Sequence, residues 1–293
     1  MRTVNAFAAA LLALSGPAVA QPTAVAPAIY TDPPRDTEHP AGMNVLHIPS
    51  GGVAINGVAY TAAGRGPHPT LVLFHGLPGN EKNLDLAQAV RRAGWNVVTL
   101  NYRGSWGSPG RFSFAGNLED ARAAIAYLRV PANAAALRAD PSRIVVGGHS
   151  MGGWVTAMVA ARDADLAGAI LISAANMGAM GRIPREALLG ISRDNMESLA
   201  GVTPESMTDQ LAANIDAFDW TGGAAGLGRI PLLILSSEDG LAPGTDMLAT
   251  AVRAGGGTRV IAVHVDTDHS WSDRRIRLQN EVIGWLTRLS PRK

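Results

Sequence analysis

A serine in a glycine-rich segment has the surroundings that a nucleophile needs. Gly148, Ser150 and Gly152 form the pattern G-x-S-x-G, directly after the short apolar run 143–146. Small residues two positions before and after the serine permit a sharp strand-to-helix turn that exposes the hydroxyl oxygen. The amides at the start of the following helix can then stabilise an oxyanion at the same point. This pattern favours nucleophilic attack by Ser150 on a carbonyl carbon.

A glycine-rich turn or phosphate-binding loop is the alternative interpretation, because the chain contains 33 Gly. No Lys stands in the position that a Walker loop requires, and the dinucleotide-binding pattern G-x-G-x-x-G is incomplete. The nucleophile interpretation therefore depends on finding a base and an acid elsewhere in the chain.

A candidate acid and a candidate base follow the serine in the order Ser, Asp, His. Asp239 comes soon after the apolar run 231–235, and His269 follows the run 260–265. This chain order is that of one convergent catalytic triad. In such a triad the histidine accepts the serine proton, and the acid fixes the histidine tautomer. We therefore expect Ser150, Asp239 and His269 to act together.

The acid of this triad has two candidates next to each other. Glu238 precedes Asp239 directly, and both carboxylates follow the same apolar run. Asp239 is the preferred candidate because Gly240 and Pro243 predict a turn immediately after it.

A metal site is the rival interpretation of the residues around His269. His264, Asp266 and Asp268 alternate along the chain, which would place all three on one face of a strand. A fourth ligand is not evident in the sequence. We expect no metal and no cofactor, and Asp266 and Asp268 are expected to orient the histidine loop.

A second candidate loop follows the apolar run 70–74. Gly76 allows the backbone to approach a substrate closely, and Leu77 has an amide to donate whereas Pro78 has none. The backbone amides of Leu77 and Met151 are therefore the predicted oxyanion-hole donors. His75 is expected to brace this loop by hydrogen bonding and not to act as the base.

These candidates must be positioned by a sheet, and the sequence predicts one. Six short apolar runs alternate with helical periods, at 70–74, 96–100, 143–146, 169–172, 231–235 and 260–265. Runs that are apolar on both faces are typical of buried parallel strands. The alternation predicts an α/β fold with a doubly wound, mostly parallel sheet, whose active site lies at the carboxyl ends of the strands. Earlier strands at 45–48 and 52–61 are expected to be antiparallel, with Asn56-Gly57 as a hairpin turn.

One connection in this fold is too long for a loop. The gap between Ile172 and Pro231 predicts an inserted helical lid at about residues 176–229. It carries Met177, Met180, Met196 and Met207, which indicate either ordinary helix packing or an adaptable apolar acyl pocket. Two aromatic residues outside the insertion, Trp106 and Phe112, are tentative walls of the substrate pocket.

The first 20 residues have the pattern of a secretory signal peptide. Arg2 precedes an apolar stretch from Phe7 to Leu14, and Ala18-Val19-Ala20 has the small-x-small pattern of a cleavage site. The stretch is shorter than the roughly 20 residues that a membrane-spanning helix needs. We expect cleavage after Ala20, giving a periplasmic or secreted protein with no membrane anchor in its mature chain. Residues 21–42 are expected to form a Pro-rich extended leader, and residues 43–293 the folded domain.

The composition excludes several classes of partner. The chain is 47% hydrophobic and 17% charged, which is typical of a globular protein. Its net charge of +1 lacks the basic field with which proteins bind nucleic acid, so no nucleic-acid partner is expected. With no Cys, it cannot use a thiolate as a nucleophile or metal ligand.

Taken together, these motifs resemble those of α/β-hydrolases of the serine esterase and prolyl-oligopeptidase-like group. The resemblance covers residues 43–290 and rests on His75-Gly76, Asn101-Tyr102-Arg103-Gly104-Ser105 through Gly110, the segment 148–153, Asp239 with Pro243, and His269. It implies the same triad and the same oxyanion donors. The chain departs from the oligopeptidases in that only about 22 residues separate the predicted cleavage site from Met43, without a propeller domain. His75-Gly76-Leu77 also lacks a second Gly.

The expected function is that of an exported serine hydrolase. It would cleave carboxylic esters of small or medium uncharged substrates through an acyl-enzyme on Ser150, with a small-molecule ester as its partner. A secreted serine peptidase of the oligopeptidase-like type is the alternative. A non-catalytic hydrolase-like binding protein is a further alternative, but such proteins usually lack a member of the triad.

Overall fold

Within residues 24–289, the part of the chain that the computed structural model describes, eight strands form one sheet. They are β1 (Gly42–Ser50), β2 (Val53–Thr61), β3 (His68–Phe74), β4 (Asn96–Leu100), β5 (Ala139–His149), β6 (Gly168–Ile172), β7 (Leu232–Ser237) and β8 (Val260–Val265). Their order across the sheet is β1-β2-β4-β3-β5-β6-β7-β8. The first two strands pair antiparallel, as do β2 and β4, and all other pairs are parallel. The predicted mostly parallel sheet is confirmed.

Ten α-helices connect these strands in the described part of the chain. They are α1 (Leu84–Arg92), α2 (Phe114–Arg129), α3 (Pro131–Ala136), α4 (Met151–Ala160), α5 (Met177–Met180), α6 (Arg185–Asp194), α7 (Pro204–Ala213), α8 (Ala224–Leu227), α9 (Ala242–Ala254) and α10 (Arg275–Leu289). None of them is long and apolar enough to cross a membrane.

The two faces of the sheet bury two separate hydrophobic cores. Side chains alternate along β3, so that Val72 packs into the core beneath α2, α4 and α9, whereas Leu71 packs into the core beneath α1 and α10. Apolar residues on both faces of the same strand are what a sheet covered on both sides requires. The predicted doubly wound architecture is therefore confirmed, with the carboxyl ends of its parallel strands at one edge.

The hairpin turn lies elsewhere than predicted. Gly51 and Gly52 connect β1 to β2, both with positive φ (54° and 82°). Asn56 and Gly57 instead lie inside β2, opposite His47 and Leu46 of β1. The Asn-Gly pair was misleading because Gly57 has a packing role. A Cβ there would lie 3.0 Å from the Thr99 carbonyl oxygen of the neighbouring strand.

The last strand is less buried than its apolar sequence suggests. β8 pairs only with β7, at the edge of the sheet, and Ile261 remains 39% exposed. An apolar run therefore predicted the strand correctly but not its burial, because an edge position is set by the order of the other strands.

The Pro-rich segment before β1 is held against the body of the protein. Pro27–Ile29 forms a short 3₁₀ helix where an extended chain was expected. The Arg92 guanidinium of α1 donates to the carbonyl oxygens of Ala28 (2.6 Å) and Ile29 (3.1 Å). The predicted signal peptide, residues 1–20, lies outside the described residues.

The long connection between β6 and β7 contains the helices α5 to α8, as an insertion of this length requires. Its apolar side chains pack into the core beneath α4, among them Leu188, Met207, Leu211, Phe218 and Trp220. The indole nitrogen of Trp154 in α4 donates to the Phe218 carbonyl oxygen at 2.7 Å. The methionines Met177 and Met207 are buried in this core. Of the two interpretations of the methionines, ordinary helix packing fits these two.

Candidate active site

Ser150 occupies a strained turn between β5 and α4. Its backbone has φ 56° and ψ −122°, a conformation that few L-residues adopt. Its amide donates to the Ile172 carbonyl oxygen of β6 at 2.9 Å, which fixes the turn against the neighbouring strand. Met151 then begins α4. This is the geometry expected of a nucleophile raised above the end of a sheet.

The glycines of the motif are required by close backbone packing. A Cβ on Gly148 would lie 2.1 Å from the Gly152 carbonyl oxygen, and a Cβ on Gly152 would lie 2.2 Å from the Phe74 carbonyl oxygen. Gly153 is equally confined, because its Cβ would lie 2.4 Å from that of Ala174. No larger residue fits at any of these positions without moving backbone. The pattern G-x-S-x-G is thus explained by sterics as well as by chemistry.

The structure brings Asp239 and His269 together. The Nδ1 atom of His269 lies 2.7 Å from Asp239 Oδ2. Since an ionised carboxylate can only accept, Nδ1 carries the proton, and Nε2 is left as the basic nitrogen. His269 and Ser150 line the same cavity. This tautomer is the one that accepts a proton from a serine hydroxyl.

The charge of Asp239 is stabilised by its surroundings. The side chain is only 4% exposed, and this burial taken alone raises the pKa of the carboxyl group. Hydrogen bonds from His269, from the Leu241 amide (2.9 Å) and from the Ser237 hydroxyl (3.0 Å) outweigh this effect, so the pKa lies below its usual value. Asp239 is therefore ionised at neutral pH and able to hold the histidine.

Glu238 is engaged elsewhere. Its Oε1 atom lies 2.7 Å from Nε2 of His264 on β8, and both side chains are exposed. The other ring nitrogen of His264 lies 3.0 Å from the Ser236 hydroxyl. Both His264 nitrogens are thus occupied, which disfavours its use as a metal ligand with Asp266 and Asp268.

The two predicted oxyanion donors flank the nucleophile. Leu77 lines the cavity with Ser150, and Met151 is the first residue of α4, where amides have no intrahelical acceptor. Gly76 lies directly against the serine, since a Cβ there would be 3.0 Å from the Ser150 Cβ. Within residues 24–289, neither the Leu77 nor the Met151 amide is paired with another group. Both are therefore available to a substrate oxygen.

His75 lies buried behind this loop. Its Nδ1 donates to the Gly76 carbonyl oxygen at 2.8 Å, and its ring packs 4.6 Å from that of Tyr102. Burial lowers the pKa of His75 to about 4, so the ring is neutral at pH 7. This placement agrees with a bracing role and leaves the ring away from the nucleophile.

The cavity at the serine is small, with a volume of about 140 Å³. One wall is the segment 76–81, and the other consists of His149, Ser150, His269 and Ser270. Among residues 24–289, those that line this cavity all lie outside the insertion. The insertion reaches only the outside of the first wall, where Ser198 donates to the Pro78 carbonyl oxygen (3.3 Å) and Asn80 to Glu197 (3.0 Å).

Neither aromatic residue that was expected to form the pocket lines this cavity. The indole nitrogen of Trp106 donates to the Pro78 carbonyl oxygen at 2.6 Å, so this residue supports the cavity wall from outside. Phe112 is only 3% exposed and packs edge-on against Phe114 in the core. Its expected role as a pocket wall is therefore wrong. It belongs to the core because it directly precedes α2 and packs with Phe114, the first residue of that helix.

Three residues of the site were missed in the sequence. His149 lies beside the base: its Nε2 donates to the His269 carbonyl oxygen at 2.8 Å. Burial, and then the nearby His269, lower the pKa of His149 to about 4. Its place before the serine in the motif was the available signal, because that position ends β5.

Arg275 and Glu81 gave no such signal. Arg275 donates to the Ser270 carbonyl oxygen (2.9 Å) and to Asn83 Oδ1 (3.0 Å), and it forms an ion pair with Asp85. It thereby joins the base loop to the segment that precedes α1. Glu81 lines the cavity. Their roles depend on the packing of α10 against α1, which no local pattern announces.

Known proteins resemble this chain in part of its sequence and in its fold. The family model described as BD-FAE matches residues 59–176. The uncharacterized protein Rv2307c of Mycobacterium tuberculosis is 32% identical over 117 residues, which is 40% of this chain and 40% of that protein. The match thus spans well under half of the relative's length.

Two solved structures cover most of the chain at low identity. The carboxylesterase EstE1, cloned from a metagenomic library, has a TM-score of 0.63 and 21% identity, covering 86% of this chain and 91% of its own. A puromycin-hydrolyzing peptidase of Mycobacterium tuberculosis has a TM-score of 0.65 and 18% identity, covering 87% of this chain and 40% of its own. With the sheet order and the Ser150 turn described above, these likenesses identify the architecture: the chain has the α/β-hydrolase fold.

Proposed function

We propose that the protein is a serine hydrolase that cleaves carboxylic esters through an acyl-enzyme on Ser150. The observation that carries this proposal is the Asp239–His269 pair, 2.7 Å long, in the same cavity as a serine with φ 56°. The carboxylesterase among its structural neighbours supports it further. Such a constellation is recognised by geometry and roles, and not by sequence position.

Each residue of the site has a definite part in the reaction. Ser150 Oγ attacks the ester carbonyl carbon while His269 Nε2 takes the hydroxyl proton, and the amides of Leu77 and Met151 stabilise the oxyanion. When the intermediate collapses, His269 returns the proton to the departing alcohol and leaves the acyl group on Ser150. Water then attacks the acyl-enzyme with His269 as its base, which releases the acid and restores the serine.

Esters are favoured over amides by the demands on the leaving group. An alkoxide leaves readily, whereas an amide nitrogen must be protonated by His269 as the intermediate collapses. The peptidase alternative retains support from the puromycin-hydrolyzing structural neighbour. The two functions are separated by the substrate comparison below.

Labelling with a fluorophosphonate should occur at Ser150 alone. Ser150→Ala should abolish labelling and lower kcat on the order of a million-fold, because the triad acts as a unit. Peptide mapping by mass spectrometry locates the label, and Ser192→Ala, at a buried serine of α6, provides the control. A label at any other residue would contradict the assignment.

Replacement of the two neighbouring acids should have unequal effects. Asp239→Asn should lower kcat by about 10⁴, because the imidazole then loses the tautomer with a basic Nε2. Glu238→Gln removes only an exposed pair with His264 and should cost less than about tenfold. Steady-state kinetics on one ester measure both. The reverse ranking would make Glu238 the acid of the triad.

The enzyme should prefer esters to amides after each rate is corrected for the intrinsic reactivity of the substrate. We expect kcat/KM for nitrophenyl esters of short acids, divided by the uncatalysed rate, to exceed that for aminoacyl nitroanilides by at least about 100-fold. A larger enhancement for the amides would replace the esterase proposal by the peptidase alternative.

Export to the periplasm or medium is proposed from the signal-peptide pattern of residues 1–20. N-terminal sequencing of the protein recovered outside the cytoplasm should begin at Gln21. Ala20→Glu should block this processing, because signal peptidases require a small residue before the cut. An unprocessed chain retained in the cytoplasm would overturn the proposal.

A further inference from the structure

The small cavity at Ser150 favours a compact acyl group. Its volume of about 140 Å³ is well below the roughly 300–1,000 Å³ of typical ligand pockets. Much of its lining is polar, including Asn80, Glu81, His149 and Ser270. A long aliphatic chain would find neither the space nor the apolar surface there.

Glu81 gives this cavity an incompletely neutralised negative charge. Its carboxylate accepts a hydrogen bond from the backbone amide of Asn83, and its side chain is still 35% exposed. The nearest Arg275 nitrogen is 3.9 Å away, at the outer limit of an ion pair, and the same nitrogen is committed to Asp85. Lys82, the next residue, donates to Asn101 (3.1 Å) and lies over the Trp106 ring.

A second acceptor comes from His149. Because its Nε2 donates to the His269 carbonyl oxygen, the neutral ring has an unprotonated Nδ1. Its pKa of about 4 keeps the ring in this form at neutral pH. Within the described residues, this nitrogen has no hydrogen-bond partner, and the ring lines the cavity. Two residues that line the cavity with Ser150 therefore carry a hydrogen-bond acceptor, and one of the two is acidic.

We propose that the preferred substrates are esters of small α-amino acids. Their α-ammonium group would donate hydrogen bonds to the Glu81 carboxylate and to His149 Nδ1. An ammonium carries three donors and no acceptor, which matches this pair of groups. An anionic acyl group would be repelled by Glu81. The inference rests on the proposed esterase function and replaces the expectation of an uncharged substrate. The hydrolysis itself is unchanged: water and the ester give the amino acid and the alcohol.

Two isosteric esters test this preference directly. Glycine benzyl ester and benzyl propionate differ chiefly in an ammonium in place of a methyl group. After division by the rate of uncatalysed hydrolysis, kcat/KM for the glycine ester should be higher by at least about tenfold, as one partly desolvated charge pair allows. An equal or higher corrected value for the propionate would overturn the inference, whatever the variants do.

A matched pair of variants tests the role of Glu81. Glu81→Gln keeps an oxygen to accept the Asn83 amide but removes the charge, so the glycine-to-propionate ratio should fall by about tenfold. Glu186→Gln, an exposed change on α6, should leave the ratio unchanged. Thermal melts show whether both variants fold. An unchanged ratio in folded Glu81→Gln would contradict the proposal.

Failure of the esterase function would look different. If Ser150 is not labelled by fluorophosphonate and neither benzyl ester is cleaved, the proposed function itself is wrong. If Ser150 is labelled and the two benzyl esters have equal corrected kcat/KM values, only the amino-acid preference is wrong.

Discussion

The positive φ of Ser150 is the constraint on which the rest of the site depends. A non-glycine residue in such a conformation costs on the order of 1–3 kcal/mol and persists only where the surroundings fix it. Here the fixing contacts are its hydrogen bond to Ile172 and the backbone of β3 pressed against Gly152. Because β5 lies between β3 and β6, the same packing that strains the serine places the Leu77 and Met151 amides beside it.

Burial then determines which groups carry charge. His75 and His149 lose their charge because each is buried, whereas Asp239 keeps its charge because three donors compensate for its burial. Neither neutral histidine is hydrogen-bonded to the Asp239 carboxylate, which is left to His269. As a result, His269 has one carboxylate partner and a defined tautomer, and the acidic residue that lines the cavity with it is Glu81.

The sequence was sufficient for the parts of the molecule that are governed by local patterns. Apolar runs predicted the parallel strands, and the spacing of Ser150, Asp239 and His269 predicted side chains that the structure places at one edge of the sheet. The errors concern tertiary context: Asn56-Gly57 has turn chemistry but lies inside β2, and Phe112 is aromatic but packs in the core. Glu81 could not be recognised in advance, since a single acidic residue in a loop has meaning only once the cavity around it is known.

The position of Arg275 in the chain determines when the His269 loop can be fixed during synthesis. It joins Ser270 in the His269 loop to Asp85 in α1, and Arg275 itself lies 190 positions from Asp85 in the chain. During synthesis the serine turn, with β3 and β5, emerges from the ribosome long before α10. The Ser150 turn is therefore synthesised early, whereas the His269 loop is secured by α10, which follows all eight strands of the described sheet. The active site proposed above is therefore complete only when α10 has docked against α1.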